Sequence, residues 1–177
     1  EEVARFWGYD KIEPSLFKGV TAEGGLTPRQ SAARHAGELL RGMGFYEMLT
    51  YSFMGQSSND KVNMPAGHPL RRSSVIQNPL GEDSSIMRTT MLPSLLETLG
   101  RNYSYRNRDV RVYELARVYI PGAEHELADE KNTLVLGCYG EGCGFYNLKG
   151  CVEALLESLR VKDAVFTAEK GAYAYHP

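Results

Sequence analysis

Within the eleven residues RNYSYRNRDVR (101–111), the sequence gathers four arginines, Arg101, Arg106, Arg108 and Arg111, around Tyr103 and Tyr105. Guanidinium groups pair with phosphate oxygens and tyrosine rings stack on bases, so this composition suits contact with a nucleic acid. The same cations at the C-terminal end of a helix are favourable against its dipole with no ligand present. Global charge lends no support to the ligand reading, because 20 Lys and Arg stand against 22 Asp and Glu, for a formal net charge of −2. Any such contact must be local.

Other residues invite chemistry and then decline it. Cys138, Cys143 and Cys151 could be gathered with His125 around a metal, but structural zinc asks for close ligand pairs of the C-x2-C kind, and the spacings here are x4 and x7. Reduced thiols on a strand and a helix fit better, and an odd cysteine count makes no disulfide framework. The glycine-rich GCYGEGCG (137–144) lacks the Lys-Ser/Thr of a phosphate-binding loop and reads as a hairpin end with glycines at positive φ. The four histidines stand apart, and no motif places a Ser, Cys or carboxylate beside one, although triads assemble in space. Glu114 shares strand parity with Val110, Val112, Ala116 and Val118. A carboxylate on an apolar face is either paired with an arginine or moved to the other face by a bulge, and both readings are structural.

The elements that must position these residues follow from periodicity. Thr27, Pro28 and Gln30 form a capping box with proline at the first helical position, and Ala32, Ala33, Ala36, Leu39, Leu40 and Met43 recur at helical spacing until Gly44. Phe45, Leu49, Tyr51 and Phe53 alternate as a strand; residues 54–72 read as a polar, mobile linker; SVIQNPLG (74–81) reads as a short strand closed by an Asn-Pro turn. A second helix runs through LPSLLETLGRNYSY (92–105), strands through DVRVYELARVYIP (109–121) and NTLVLGCYGEG (132–142), a third helix over about 147–160, and DAVFTA (163–168) adds a last strand. Strands joined by short turns and interrupted by helices predict an α+β domain with a mainly antiparallel sheet.

No apolar run approaches the roughly 20 residues that a membrane helix needs, and EEVARFWGYD is not a secretory signal, so no membrane partner is expected and the cytoplasm is the default. At 177 residues the chain suits one domain with a remnant of another: residues 1–20 as the tail of a preceding domain plus linker, and 21–177 as the core. Its abrupt ends suggest a piece of something longer.

The order of three stretches then becomes informative: LTPRQSAARHAGELLRGMGFYEMLTYSF, NPLGEDSSIMRTTMLPSLLETLGRNYSYRNRDVRVYELARVYIP and YNLKGCVEALLESL. Together they resemble the central, catalytic-like region of the β subunit of bacterial phenylalanyl-tRNA synthetases, over nearly the whole chain, with the end YHP resembling a truncated segment. The resemblance implies a class II aminoacyl-tRNA synthetase core, an antiparallel sheet flanked by helices and truncated at its C-terminal end. Helix 28–43 and strand 45–53 look like motif 1 of that class, which serves subunit association, although the proline usual in that strand is absent from LTYSF. Subunit-interface residues expected on this basis are Leu39, Phe45, Tyr51, Phe53 and Arg88, with Glu114 and Arg117 in a structural ion pair.

ARVYI (116–120) is similar to a motif 2 strand, GRVYR, whose last arginine clamps phosphates in the catalytic α subunit. Ile120 stands at that arginine's position and offers no donor, and Pro121 removes the next backbone N–H. The resemblance therefore implies no catalytic residue, metal or cofactor in this domain, with ATP and magnesium used by the whole enzyme. It implies as partners the α subunit and a second β subunit in a heterotetramer, with tRNA read mainly by other domains. Two rivals remain: a remodelled ATP or amino-acid site using Arg88 and Arg117, and a tRNA-binding module using the 101–111 cluster.

Overall fold

The structure, a computed structural model, describes residues 1–123 and 127–168. His125 and the terminal YHP lie outside the described residues. At the start of the core, Thr27 Oγ1 accepts from the Gln30 N–H at 3.3 Å, and Gln30 Oε1 accepts from the Thr27 N–H at 2.9 Å. This reciprocal cap opens α2 (Pro28–Gly42). The helix ends as the glycine predicts. Gly44, at φ 85°, donates to the Arg41 carbonyl at 2.9 Å, and Phe45 donates to the Leu40 carbonyl at 3.0 Å. Phe45 then packs on Leu40, closing the paired-bond C-cap with its usual apolar contact.

That cap aims the chain into β1 (Tyr46–Glu47), which runs parallel to β4 (Val110–Ile120) with Tyr46 opposite Val112. β4 pairs antiparallel with β5 (Asp129–Tyr139) in an unbroken register from Val110↔Tyr139 to Ile120↔Asp129. The sheet is therefore mixed, in the order β1-β4-β5, with its long pair antiparallel. β2 (Phe53–Met54) and β3 (Ile86–Met87) form a separate antiparallel pair.

Both faces of β4 are covered. Tyr113 meets Leu40 and Phe45 on the side of α2 and α5 (Phe145–Ser158), with Leu136, Leu148 and Cys151 around them. Val112 packs with Met48 and Leu95 on the side of α4 (Leu92–Ser104). Gly137 permits the second contact: a Cβ there would lie 3.0 Å from Leu99 and 3.1 Å from Leu95, so the missing side chain lets α4 settle onto β5. At the N-terminal end, α1 (Glu2–Trp7) buries none of its residues.

Several expectations are corrected. The strand read over 45–53 is broken into β1 and β2, because the Thr50 N–H turns to the Glu114 carboxylate at 3.1 Å instead of a neighbouring strand. Its period-two face is lost with it, Phe45 being 4% exposed and Leu49 87%. SVIQNPLG supplies one isolated bridge, Val75↔Ile86, rather than a strand. DAVFTA is not a strand: it joins no described ladder, and Val165 stays exposed. GCYGEGCG joins β5 to α5 and so is no hairpin end, although Gly140 and Gly142 do take positive φ.

The expected mobile linker 54–72 is packed. It buries Met54, Val62 and Met64, forms the short α3 (Ser58–Lys61), and is pinned by Arg71, which donates to the carbonyls of Met64 and Pro65 and meets Asp60 at 2.6 Å. Its polar composition concealed three apolar residues that find the core.

A Cβ at Gly44 would meet no atom within 4 Å, so Gly44→Ala tests backbone conformation alone. The left-handed residue predicts a loss of about 1 kcal/mol in unfolding free energy by urea denaturation. An unchanged midpoint and slope would show that the turn tolerates a side chain.

Candidate functional site

A buried polar network surrounds Glu114 at the middle of β4. Glu114 Oε1 accepts from the Thr50 N–H at 3.1 Å and from Arg88 Nη2 at 3.3 Å, and its Oε2 accepts from the Thr50 hydroxyl at 2.6 Å. Arg88 also donates through Nη1 to the Thr50 hydroxyl at 2.8 Å and through Nε to the Arg117 carbonyl at 2.9 Å. Arg88 and Glu114 are each 1% exposed. The β4 register runs through Glu114↔Val135 without a bulge, so of the two readings of this carboxylate the arginine pair is the one realised.

Its partner is not Arg117. Three residues apart on one strand, Glu114 and Arg117 point to opposite faces, and Arg117 instead pairs with Glu130 of β5 at the surface. The same geometry bears on a shared ATP site. Arg88 is enclosed with its donors engaged, one of them on the Arg117 carbonyl, while the Arg117 side chain lies exposed on the other face, so the two guanidiniums do not share a site.

At the far end of β4, Ile120 and Pro121 line an open cleft of about 480 Å³ with His68, Arg71, Arg72 and Thr89. Its arginines are already engaged by protein oxygens: Arg71 as described, and Arg72 through Nη2 to the Gly122 carbonyl at 2.8 Å. An apolar side chain and a proline thus stand where β4 leaves the sheet.

The residues expected at a subunit interface divide by depth. Phe45 and Arg88 belong to the chain's own interior, Leu39 is half-buried, and Tyr51 and Phe53 are exposed. Tyr51, 83% exposed, and Leu49, Phe53, Lys61, Glu97 and Arg101 line a groove of about 440 Å³ between the β1–β2 connection and α4. Leu49 shares the alternating pattern of Tyr51 and Phe53, but only its exposure, which periodicity cannot give, brings it to this surface.

The arginine cluster of 101–111 disperses. Arg101 faces the groove with Glu97, and Arg111 faces Cys138, Cys143 and Cys151 across a small cavity of about 140 Å³. Only Arg106 and Arg108 share a cleft, with Tyr103 and Tyr139. The three cysteines form no disulfide and are half-buried, and among the described residues no group of three or more His, Cys, Asp or Glu is placed to hold a metal ion. Burial, then the hydrogen bond with Cys143, pushes the Cys138 thiol from 9.0 up to about 11.

Comparison with known proteins places this geometry. The family model described as "Phenylalanyl tRNA synthetase beta chain CLM domain" matches residues 12–177. The chain belongs to this family. Relatives named phenylalanine–tRNA ligase beta subunit include that of Clostridium tetani, 40% identical over 100% of this chain and 22% of its own length. The corresponding protein of Moorella thermoacetica is 38% identical over 100% of this chain and 23% of its length. The chain thus spans less than a quarter of these relatives. Among solved structures, a pyrrolysyl-tRNA synthetase of Desulfitobacterium hafniense superposes with a TM-score of 0.61 at 18% identity, covering 82% of this chain and 50% of the other. The fold is that of a class II synthetase core, α+β with a mixed sheet flanked by helices.

Glu114→Gln, which leaves the Arg88 charge buried and uncompensated, is expected to cost about 3 kcal/mol or more in chemical unfolding, and Arg88→Met with Glu114→Leu to recover most of it. Equal losses in the single and double variants would count against the pair as the source. Cys138, held protonated, should be alkylated by iodoacetamide more slowly at pH 8 than a free thiol, its rate climbing as pH rises toward 11. Peptide mapping that finds it modified as fast as glutathione would contradict the enclosed thiol.

Proposed function

We propose that this chain is a non-catalytic, synthetase-like domain of a phenylalanine–tRNA ligase β subunit, packing on the catalytic α subunit within a cytoplasmic α2β2 enzyme. The whole enzyme would join phenylalanine to its tRNA with ATP and magnesium, with residues 1–20 as the tail of a preceding β-subunit domain. A second β subunit completes the assembly, and tRNA is read mainly by other domains.

The observation that carries this reading is the end of β4. Adenylate formation needs cations where phosphate charge develops. Here Ile120 offers none, Pro121 has no N–H, and the nearby Arg71 and Arg72 are engaged by the chain's own oxygens. An assembly role is favoured by the apolar side chains left on the surface around the first strand: Tyr46, Leu49, Tyr51 and Phe53 are all exposed. Apolar residues rimmed by Lys61, Glu97 and Arg101 have the anatomy of an association surface, and obligate interfaces commonly bury more than about 2,000 Å².

The test is co-expression of the full-length β subunit with its α subunit, with the mass of the purified species read by light scattering. A stable complex is expected, and Tyr51→Asp, at an exposed site where folding tolerates it, should weaken α binding by about tenfold or more. Chains that elute separately, or ATP binding by this domain at micromolar affinity that Arg117→Ala abolishes, would sink the reading.

A further inference from the structure

The cleft holding Arg106 and Arg108 is independent of both the Glu114 cluster and the groove at Tyr51. Tyr103, Arg106, Asn107, Arg108, Tyr139 and Gly140 line an open space of about 770 Å³ where α4 turns into β4 and β5 ends. Among the described residues neither guanidinium is in an ion pair or a hydrogen bond, unlike Arg71, Arg88 and Arg117. The neighbouring Asp109 carboxylate is turned to the Glu141 N–H at 2.6 Å, so it does not neutralise them by direct pairing.

The aromatic part is organised rather than loose. Tyr139 donates its hydroxyl to the Asn107 carbonyl at 3.0 Å and meets Tyr103 edge to face, centroids 5.9 Å apart at 79°. Tyr103 is 73% exposed despite this support. Arg106 sits in the left-handed region, φ 61°, which a non-glycine residue adopts against steric resistance, and the turn is held by Asn107 Nδ2 donating to Asn102 Oδ1 at 2.7 Å. Two unpaired guanidiniums and a supported, open tyrosine ring thus occupy one cleft on a hydrogen-bonded turn.

We propose that this cleft binds an RNA strand, with backbone phosphates on Arg106 and Arg108 and an unpaired base stacked on Tyr103. Planar guanidinium matches phosphate bidentately, and stacking on a single aromatic face accepts any base, so the contact reads backbone and strand exposure rather than sequence. The proposal rests on the reading of the chain as part of a tRNA ligase, and adds a contact that this domain would make with that enzyme's RNA.

The test uses the full-length β subunit assembled with α and a phenylalanine tRNA transcript titrated across salt concentrations. Arg106→Gly relieves the left-handed residue as it removes the charge, so the melting temperature should hold or rise. The variant Arg106→Gly/Arg108→Ala should bind about tenfold more weakly, with the slope of log K against log salt smaller by about 1 per arginine. Tyr103→Ala should weaken binding by about tenfold with the slope little changed. Unchanged affinity and slope in the folded double variant overturn the proposal. So does loss of the α subunit with tRNA affinity intact, which would make the cleft a protein-docking surface. The two readings fail separately: if wild-type β does not copurify with α, the assembly role falls, and the same titration on β alone still decides the cleft.

Discussion

The buried Arg88–Glu114 pair is the constraint on which the arrangement of the other pieces depends. Two charges taken from water are tolerable only when their remaining donors and acceptors are satisfied, and here the satisfying groups come from distant parts of the chain. Thr50 arrives from the β1–β2 connection, Arg88 from the turn before α4, and the Arg117 carbonyl from β4 itself. The backbone follows the same route: Arg88 donates to the Ser52 carbonyl and Tyr119 to the Arg88 carbonyl, each at 2.9 Å. Once Glu114 is fixed in the sheet, the small β2–β3 pair has one place to lie.

The same pair explains why the first strand is interrupted. A strand continuing through Thr50 would give its N–H to a neighbour's carbonyl; here the carboxylate of Glu114 takes it. The chain leaves the ladder, and Leu49 and Tyr51 turn to the surface as a consequence. An interior polar requirement on one strand thus creates the exposed apolar surface on another. The exposed apolar side chains are thus shaped by a pair that is itself buried.

What was legible in the sequence is what is local. The capping box of Thr27 and Gln30, the glycine stop at Gly44, the apolar stripe of α4 and the long β4 and β5 each announce themselves within a few residues, because capping and periodicity act at that range. That Glu114 called for either an arginine or a bulge was also legible, from its parity among Val110, Val112, Ala116 and Val118. Which arginine was not, since Arg88 lies 26 positions away in sequence while the opposite-facing Arg117 lies nearby. The packing of Met54, Val62 and Met64 escaped because three apolar residues scattered through a polar segment sustain no period.

The arginines of 101–111 carry the distinction furthest. Adjacent in sequence, they are divided by the change from helix to turn to strand, and each inherits a different neighbourhood: a carboxylate-lined groove for Arg101, a tyrosine cleft for Arg106 and Arg108, a thiol cavity for Arg111. Helix-dipole compensation applies to the last turn of α4 and so accounts for Arg101, which lies within it; Arg106 and Arg108 follow the helix, in a cleft lined by its last residues, Tyr103 and Ser104. A composition that read as one basic motif is therefore three separate electrostatic situations, and only the middle one combines unpaired charge with an open aromatic face. A net charge near zero does not by itself decide the matter, because at physiological salt an exposed charge acts over roughly 8 Å; within that range the two guanidiniums stand with one carboxylate, that of Asp109 beside Gly140, which leaves the cleft locally positive.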